Sequence, residues 1–192
     1  MLSHSLAAMF LQLAAPAAIS EKSEPCPKQM LPPAIDSVGK AAIGRTTVEF
    51  SAEPSFETSA WVIRLSDRGP GGGVLEFVRL ERQRTCNRYD VAARWSYDIS
   101  QDEYSQLASE TAKLAIPPPS VFIPHAGNHV RTIITDGTNI ETRLKNSEWE
   151  TRHKTKIGKP DGTALSAMFL ALVRRYVPTG SAPDSNWHSP VN

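Results

Sequence analysis

Hydrophobic and polar positions alternate with period two through much of residues 46–98. In residues 46–50, Val48 and Phe50 share one face. In residues 58–66, Trp61, Ile63 and Leu65 point one way, and Arg64 and Ser66 the other. Residues 74–82 (VLEFVRLER) form another β-favouring run. In residues 91–98, Val91, Ala93, Trp95 and Tyr97 share a face against Arg94, Ser96 and Asp98. This period predicts strands. The glycine-rich residues 67–73 fall between two of them and lead into a strand, not a helix. No Gly-Lys-Ser/Thr follows, so the segment predicts a hairpin tip and not a phosphate cradle.

The period changes at Ser100. Ser100 and Glu103 have capping-box spacing, and Tyr104, Leu107, Ala108, Thr111 and Leu114 recur at helical intervals. Pro117–Pro119 stop that helix. A second hairpin is expected from residues 131–135, Asp136-Gly137 and the alternating Ile140, Thr142 and Leu144, with the strand continuing toward Trp149. Leu165, Met168, Phe169, Leu172, Val173 and Tyr176 line one side of a final helix that Pro178 ends. Strands joined by short turns, followed by helices, predict an α+β fold: an antiparallel sheet of about six strands with two helices packed on one face. Residues 74–115 and 130–177 could each be a strand–strand–helix unit, although no residue-level repeat links them.

The flanks read differently. Residues 1–18 carry no Asp, Glu, Lys or Arg, and Leu6–Ala15 are apolar except for Gln12. Ala15-Pro16-Ala17 follows as a small-x-small pattern, so residues 1–18 are expected to be a secretory signal peptide, although no Lys or Arg precedes the apolar stretch. Residues 19–44 read as a flexible Pro-rich leader, residues 45–178 as a single domain, and residues 179–192 as a mobile tail. No integral membrane segment is expected after signal removal. The expected location is periplasmic or secreted. Export changes the reading of Cys26 and Cys86, the two cysteines present, because an oxidising compartment favours their pairing as a disulfide.

The formal net charge is +1, from 21 Lys+Arg against 20 Asp+Glu, which argues against a dedicated nucleic-acid binder. The total conceals an asymmetry. Residues 19–112 hold 11 basic and 14 acidic residues, whereas residues 113–192 hold 10 and 6. Within residues 143–159, Arg143, Lys145, Arg152, Lys154, Lys156 and Lys159 outnumber Glu148 and Glu150, with Trp149 among them. Basic side chains around an aromatic suit an anionic envelope polymer or an envelope protein. Arg143, Lys145, Trp149, Arg152, Lys154 and Lys156 are therefore the candidate binding residues. The competing reading is a charged outer strand that discourages edge pairing.

Other chemistry is weakly signalled. His125 and His129 are spaced i, i+4 but lie among Pro124 and Gly127, which disfavour a helix; no metal site is assigned. Ser37-Val38-Gly39-Lys40 matches Ser-x-x-Lys by letter only. No cofactor and no catalytic set is assigned. The expectation is a small exported envelope domain acting as a non-enzymatic binding or structural module. The alternatives are a small hydrolase built from residues such as His125, His129 and Glu148, or an inhibitor presenting the hairpin loop 67–73.

Overall fold

The computed structural model describes residues 31–40, 44–83, 85–115, 137–145, 150–157 and 163–190. Six strands form one antiparallel sheet: β1 (Arg45–Pro54), β2 (Ser59–Asp67), β3 (Gly73–Gln83), β4 (Arg88–Ile99), β5 (Thr138–Lys145) and β6 (Glu150–Ile157). Their spatial order is β4-β3-β2-β1-β5-β6. Helices α1 (Gln101–Ala115) and α2 (Ala164–Tyr176) complete an α+β fold. The β3–β4–α1 and β5–β6–α2 segments each run strand, strand, helix.

The alternating apolar positions of β1, β2 and β3 build the main core. Val48, Phe50, Ala52, Trp61, Ile63, Leu65, Leu75 and Phe77 pack with Leu107 of α1 and with Leu165, Phe169, Leu172 and Val173 of α2. Phe50 stacks on Phe169 with ring centroids 4.3 Å apart. Burying an aliphatic or aromatic side chain contributes about 1.5–3 kcal/mol each. Helix starts follow their sequence signals: Ser100 Oγ accepts from Glu103 N, and Thr163 Oγ1 accepts from Ser166 N. The Glu103 carboxylate accepts from the Tyr176 hydroxyl at 2.6 Å, which joins α1 to α2. Tyr97 of β4 donates to the Tyr176 backbone oxygen, so the ends of β4, α1 and α2 meet at one point.

The tip between β2 and β3 is a short 3-10 turn, Gly69–Gly71. Gly72 has φ +102°, and the Ile99 carbonyl occupies the place where a Cβ would stand. Only glycine fits both conditions.

Four expectations need correction. Val91 does not share a face with Ala93, Trp95 and Tyr97. The β3–β4 register shifts between Arg79 and Leu80, placing Val91 opposite Leu80, which faces away from the helices; the extra residue of a bulge reverses the alternation. The sixth strand is β6, a segment in which no strand was expected, and it pairs with β5, which is described over Thr138–Lys145; residues 146–149, where that strand was expected to continue, lie outside the described residues. Residues 131–136 lie outside the described residues. The leader is not simply an extended segment: Ala34–Val38 forms a 3-10 helix with Ala34, Ile35 and Val38 buried. The tail also packs. Trp187 is fully buried against Phe50, its indole donating to Ser166 Oγ at 2.9 Å. Asp184 Oδ1 accepts from the Asn186 and His188 amides, and Thr138 Oγ1 donates to the Asn186 carbonyl.

The second core lies on the opposite sheet face. Ala34, Ile35 and Val38 pack against Ala60, Val62, Val78, Leu80 and Tyr89. The Tyr89 hydroxyl of β4 donates to Glu53 of β1 at 2.7 Å. These strands are three places apart, or roughly 14 Å in a flat sheet, so the sheet curls over the 3-10 helix. Residues 1–30, including the expected signal segment 1–18 and Cys26, lie outside the described residues.

If the tail belongs to the core, Trp187→Ala should destabilise the protein by about 3–5 kcal/mol, as other large aromatic truncations do. Urea unfolding followed by far-UV circular dichroism would measure it. A loss below about 1 kcal/mol would show that the ring contributes little to packing.

Candidate functional site

The sheet face that carries the 3-10 helix also carries charge. The register sets Glu76 of β3 opposite Ser96 of β4, Arg64 of β2 opposite Glu76, Glu49 of β1 opposite Arg64, Arg143 of β5 opposite Glu49, and Arg152 of β6 opposite Arg143. One row of ionic side chains therefore runs from β3 to β6. Its inner members are buried: Arg64 is 3%, Glu49 4%, Glu76 6% and Arg143 7% exposed. Glu141, a neighbour on β5, is buried too.

Burying a charge costs several kcal/mol unless partners replace its water. Each buried carboxylate here has more than one cation. Glu49 accepts from Arg64 Nε at 3.1 Å and from Lys145 Nζ at 2.5 Å. Glu76 accepts from Arg94 Nη1 at 2.7 Å, with Arg64 Nη1 3.6 Å away. Glu141 meets Arg143 Nε at 2.9 Å, Arg152 Nε at 2.7 Å and Lys154 Nζ at 3.0 Å. Arg64 Nη2 also donates to the Gly39 carbonyl of the leader.

The sign alternation fails at one step, because Arg143 and Arg152 are directly opposite each other. Like charges in that position repel. Asp36, on the 3-10 helix, supplies the missing anion: its Oδ1 lies 2.5 Å from Arg143 Nη2 and 3.9 Å from Arg152 Nη2. Desolvation alone would lower the Arg143 pKa; the Asp36 and Glu141 carboxylates reverse that and hold it above the usual arginine value. Burial and the hydrogen bond to Glu53 push the Tyr89 phenol far above its ordinary range, so it stays a neutral donor.

Two open cavities flank the 3-10 helix. One, of about 410 Å³, lies beside Leu31–Ala34 and includes Ser51, Glu53, Glu141 and Lys154. The other, of about 480 Å³, includes Asp36, Lys40, Glu49, Arg64, Arg143 and Lys145.

Of the residues proposed from sequence, Arg143, Lys145, Arg152 and Lys154 converge on this face through Glu49 and Glu141. Arg143 is not an exposed contact but a buried one, since it lies on a paired internal strand. Arg152 and Lys154 have side chains 42% and 55% exposed. Lys156 stands on β6 opposite Asn139. Trp149 lies outside the described residues, as do His125, His129, Glu148 and Lys159. Among the described residues, no group of three or more His, Cys, Asp or Glu is placed to hold a metal ion. The sequence reading missed Asp36, Glu49, Arg64, Glu76 and Glu141 as members of the site. Their signal was available in part: Glu49, Arg64 and Glu76 are charges each flanked on both sides by apolar residues, Val48 and Phe50, Ile63 and Leu65, Leu75 and Phe77.

Compared with protein families, curated proteins and solved structures, the chain matches none.

Removing one member of the buried row should leave its partner uncompensated. Arg64→Met and Glu49→Leu should each destabilise by about 3–5 kcal/mol. The double variant should recover at least about 1 kcal/mol of the summed loss. Urea denaturation of the four species gives the coupling; additivity within about 0.5 kcal/mol would remove the pair from the stabilising network.

Proposed function

We propose that this protein is a non-enzymatic binding module of the cell envelope whose charged sheet face receives an anionic partner, either an envelope polymer or the acidic surface of an envelope protein. The observation that supports this reading is the outer end of the ionic row. Arg143, Lys145, Arg152 and Lys154 stand on two adjacent strands; Glu49, Glu141, Asp36 and Glu150 all lie among them, yet the outer two cations remain open to solvent. Arg152 and Lys154 keep substantial exposure beside the cavity that Lys154 and Glu141 line. Half-exposed cations such as Arg152 and Lys154 draw polyanions by charge, with affinity set by screening.

Export through residues 1–18 and residence in the periplasm or outside the cell belong to the same proposal. So does pairing of Cys26 with Cys86, which stands in the turn between β3 and β4. Such a bridge would anchor the chain ahead of the 3-10 helix to the far end of the sheet. In the unreduced exported protein, mass spectrometry after alkylation should find no modified thiol. Two modified thiols would end the disulfide.

The binding reading is tested with heparin and poly-L-glutamate as probes. Binding of the intact protein, measured by fluorescence anisotropy of labelled probe, should weaken steeply between low and physiological salt. The pair Arg152→Gln and Lys154→Gln should lose at least about fivefold in affinity, since both side chains are exposed enough to be replaced without unfolding. Salt-independent binding, or an affinity unchanged in the double variant, would overturn the proposal.

A further inference from the structure

The geometry points to a seat for a small two-oxygen anion, a carboxylate or a phosphate group, between Arg143 and Arg152, occupied in this structure by the protein's own Asp36. This deepens the reading of the charged face as a binding surface and rests on it.

Three observations carry the inference. First, the two guanidinium-bearing residues are directly opposite in the β5–β6 register, while the rest of the row from Glu76 to Arg143 alternates in sign. Two adjacent cations create a demand for an anion that the sheet strands do not fully meet; Glu141 contacts the Nε of each, at 2.9 and 2.7 Å. Both Nη2 groups are directed elsewhere, and Asp36 Oδ1 is the carboxylate oxygen that reaches them. Second, Asp36 comes from outside the sheet. It rides on the short 3-10 helix Ala34–Val38, held by the apolar contacts of Ala34, Ile35 and Val38, which do not depend on the carboxylate. Its side chain is 41% exposed, so an incoming anion can reach the same place from solvent. Third, Arg143 and Asp36 line the cavity of about 480 Å³, which also contains Lys40 and Lys145. The space beside the seat is large enough for the remainder of a small ligand, and its lining cations, Lys40, Arg64, Arg143 and Lys145, outnumber its carboxylates, Asp36 and Glu49.

Arginine forks bind carboxylate and phosphate oxygens by charge-assisted hydrogen bonds. Asp36 therefore acts as an internal competitor. The contact sets the affinity of the charged face for small anions, and an anion must displace the carboxylate without detaching the 3-10 helix.

Calorimetric titration of the intact protein with inorganic phosphate in one arm and succinate in the other tests the seat and separates the two anion classes. Asp36→Asn should bind at least one of them about tenfold more tightly than the wild type, the size of one lost competing ionic contact. Adding Arg152→Gln should abolish the gain. In the wild type, saturating anion should shift the ¹³C resonance of the Asp36 carboxyl at constant pH, a readout that does not require the variant to fold. A folded Asp36→Asn protein with unchanged affinity for both anions would overturn the seat, as would an Asp36 resonance that both anions leave unmoved at saturation. If heparin still binds the wild type in the salt-dependent way, that failure is confined to the seat and the broader binding reading stands. If heparin does not bind either, both readings fall.

Discussion

The structure depends on charges buried in the middle of a sheet. Glu49, Arg64 and Glu76 sit at the centres of β1, β2 and β3, on the face away from the helices. They cannot be left dry and unpaired, because the desolvation of one carboxylate or guanidinium rivals the stability of a whole domain. Pairing therefore constrains which strands are neighbours and in which register. The apolar face alone constrains this less. Val48, Phe50 and Ala52 repeat every two residues, so a two-residue slip of β1 would still present apolar side chains to the helices. The same slip would set Glu49 against Val62 or Ser66 and remove Arg64 from its carboxylate. The ionic row distinguishes registers that hydrophobic burial would treat as near equivalents.

The same row explains the leader. A sheet covered by helices on one face commonly leaves the other in water, but here the second face is partly apolar, with Ala60, Val62, Val78 and Leu80 all buried. The chain before β1 covers this patch with Ile35 and Val38, and the sheet curls to hold them. Once the segment is there it also serves the ions: Arg64 reaches the Gly39 carbonyl, and Asp36 reaches Arg143. Apolar burial positions the strap, and its polar groups satisfy charges that the strap itself helps to remove from water.

This division accounts for what could be read in advance. β2 and α2 were legible because the large apolar residues of each follow one period toward the helix-side core, although β2 is buried on its other face as well. The antiparallel α+β arrangement followed from their order. β6 was not legible: Glu-Thr-Arg-His-Lys-Thr-Lys-Ile has a single aliphatic residue, and its pairing with β5 is marked by charge, as in Glu141 opposite Lys154. Val91 failed because a bulge changes facing without changing composition. Trp187 failed because a lone aromatic in a tail rich in Ser, Pro and Asn has no periodic neighbours, although it packs beside Phe50. The basic segment is visible along the chain as a concentration of charge, but sequence could not show which carboxylates face it, since these come from β1, from β5 and from the leader.

The charge asymmetry along the chain then takes on a structural meaning. β1 belongs to the acidic first part and β5 to the basic last part, yet the topology inserts the whole β2–α1 segment between them and still makes them neighbours. Glu49 meets Lys145, and Asp36 meets Arg143, across that long separation. Two acidic residues of the first part, Asp36 and Glu49, thus meet cations of the last part where the sheet closes. What is left outside this pairing is neither the whole segment 143–159 nor its total charge. Among the described residues it is the exposed part of the outer rank, Arg152 and Lys154, whose side chains meet Glu141 but stay 42% and 55% exposed, together with the position where two arginines face each other. The binding surface we propose is therefore narrower than the basic stretch read from sequence, a local arrangement at the β5–β6 margin.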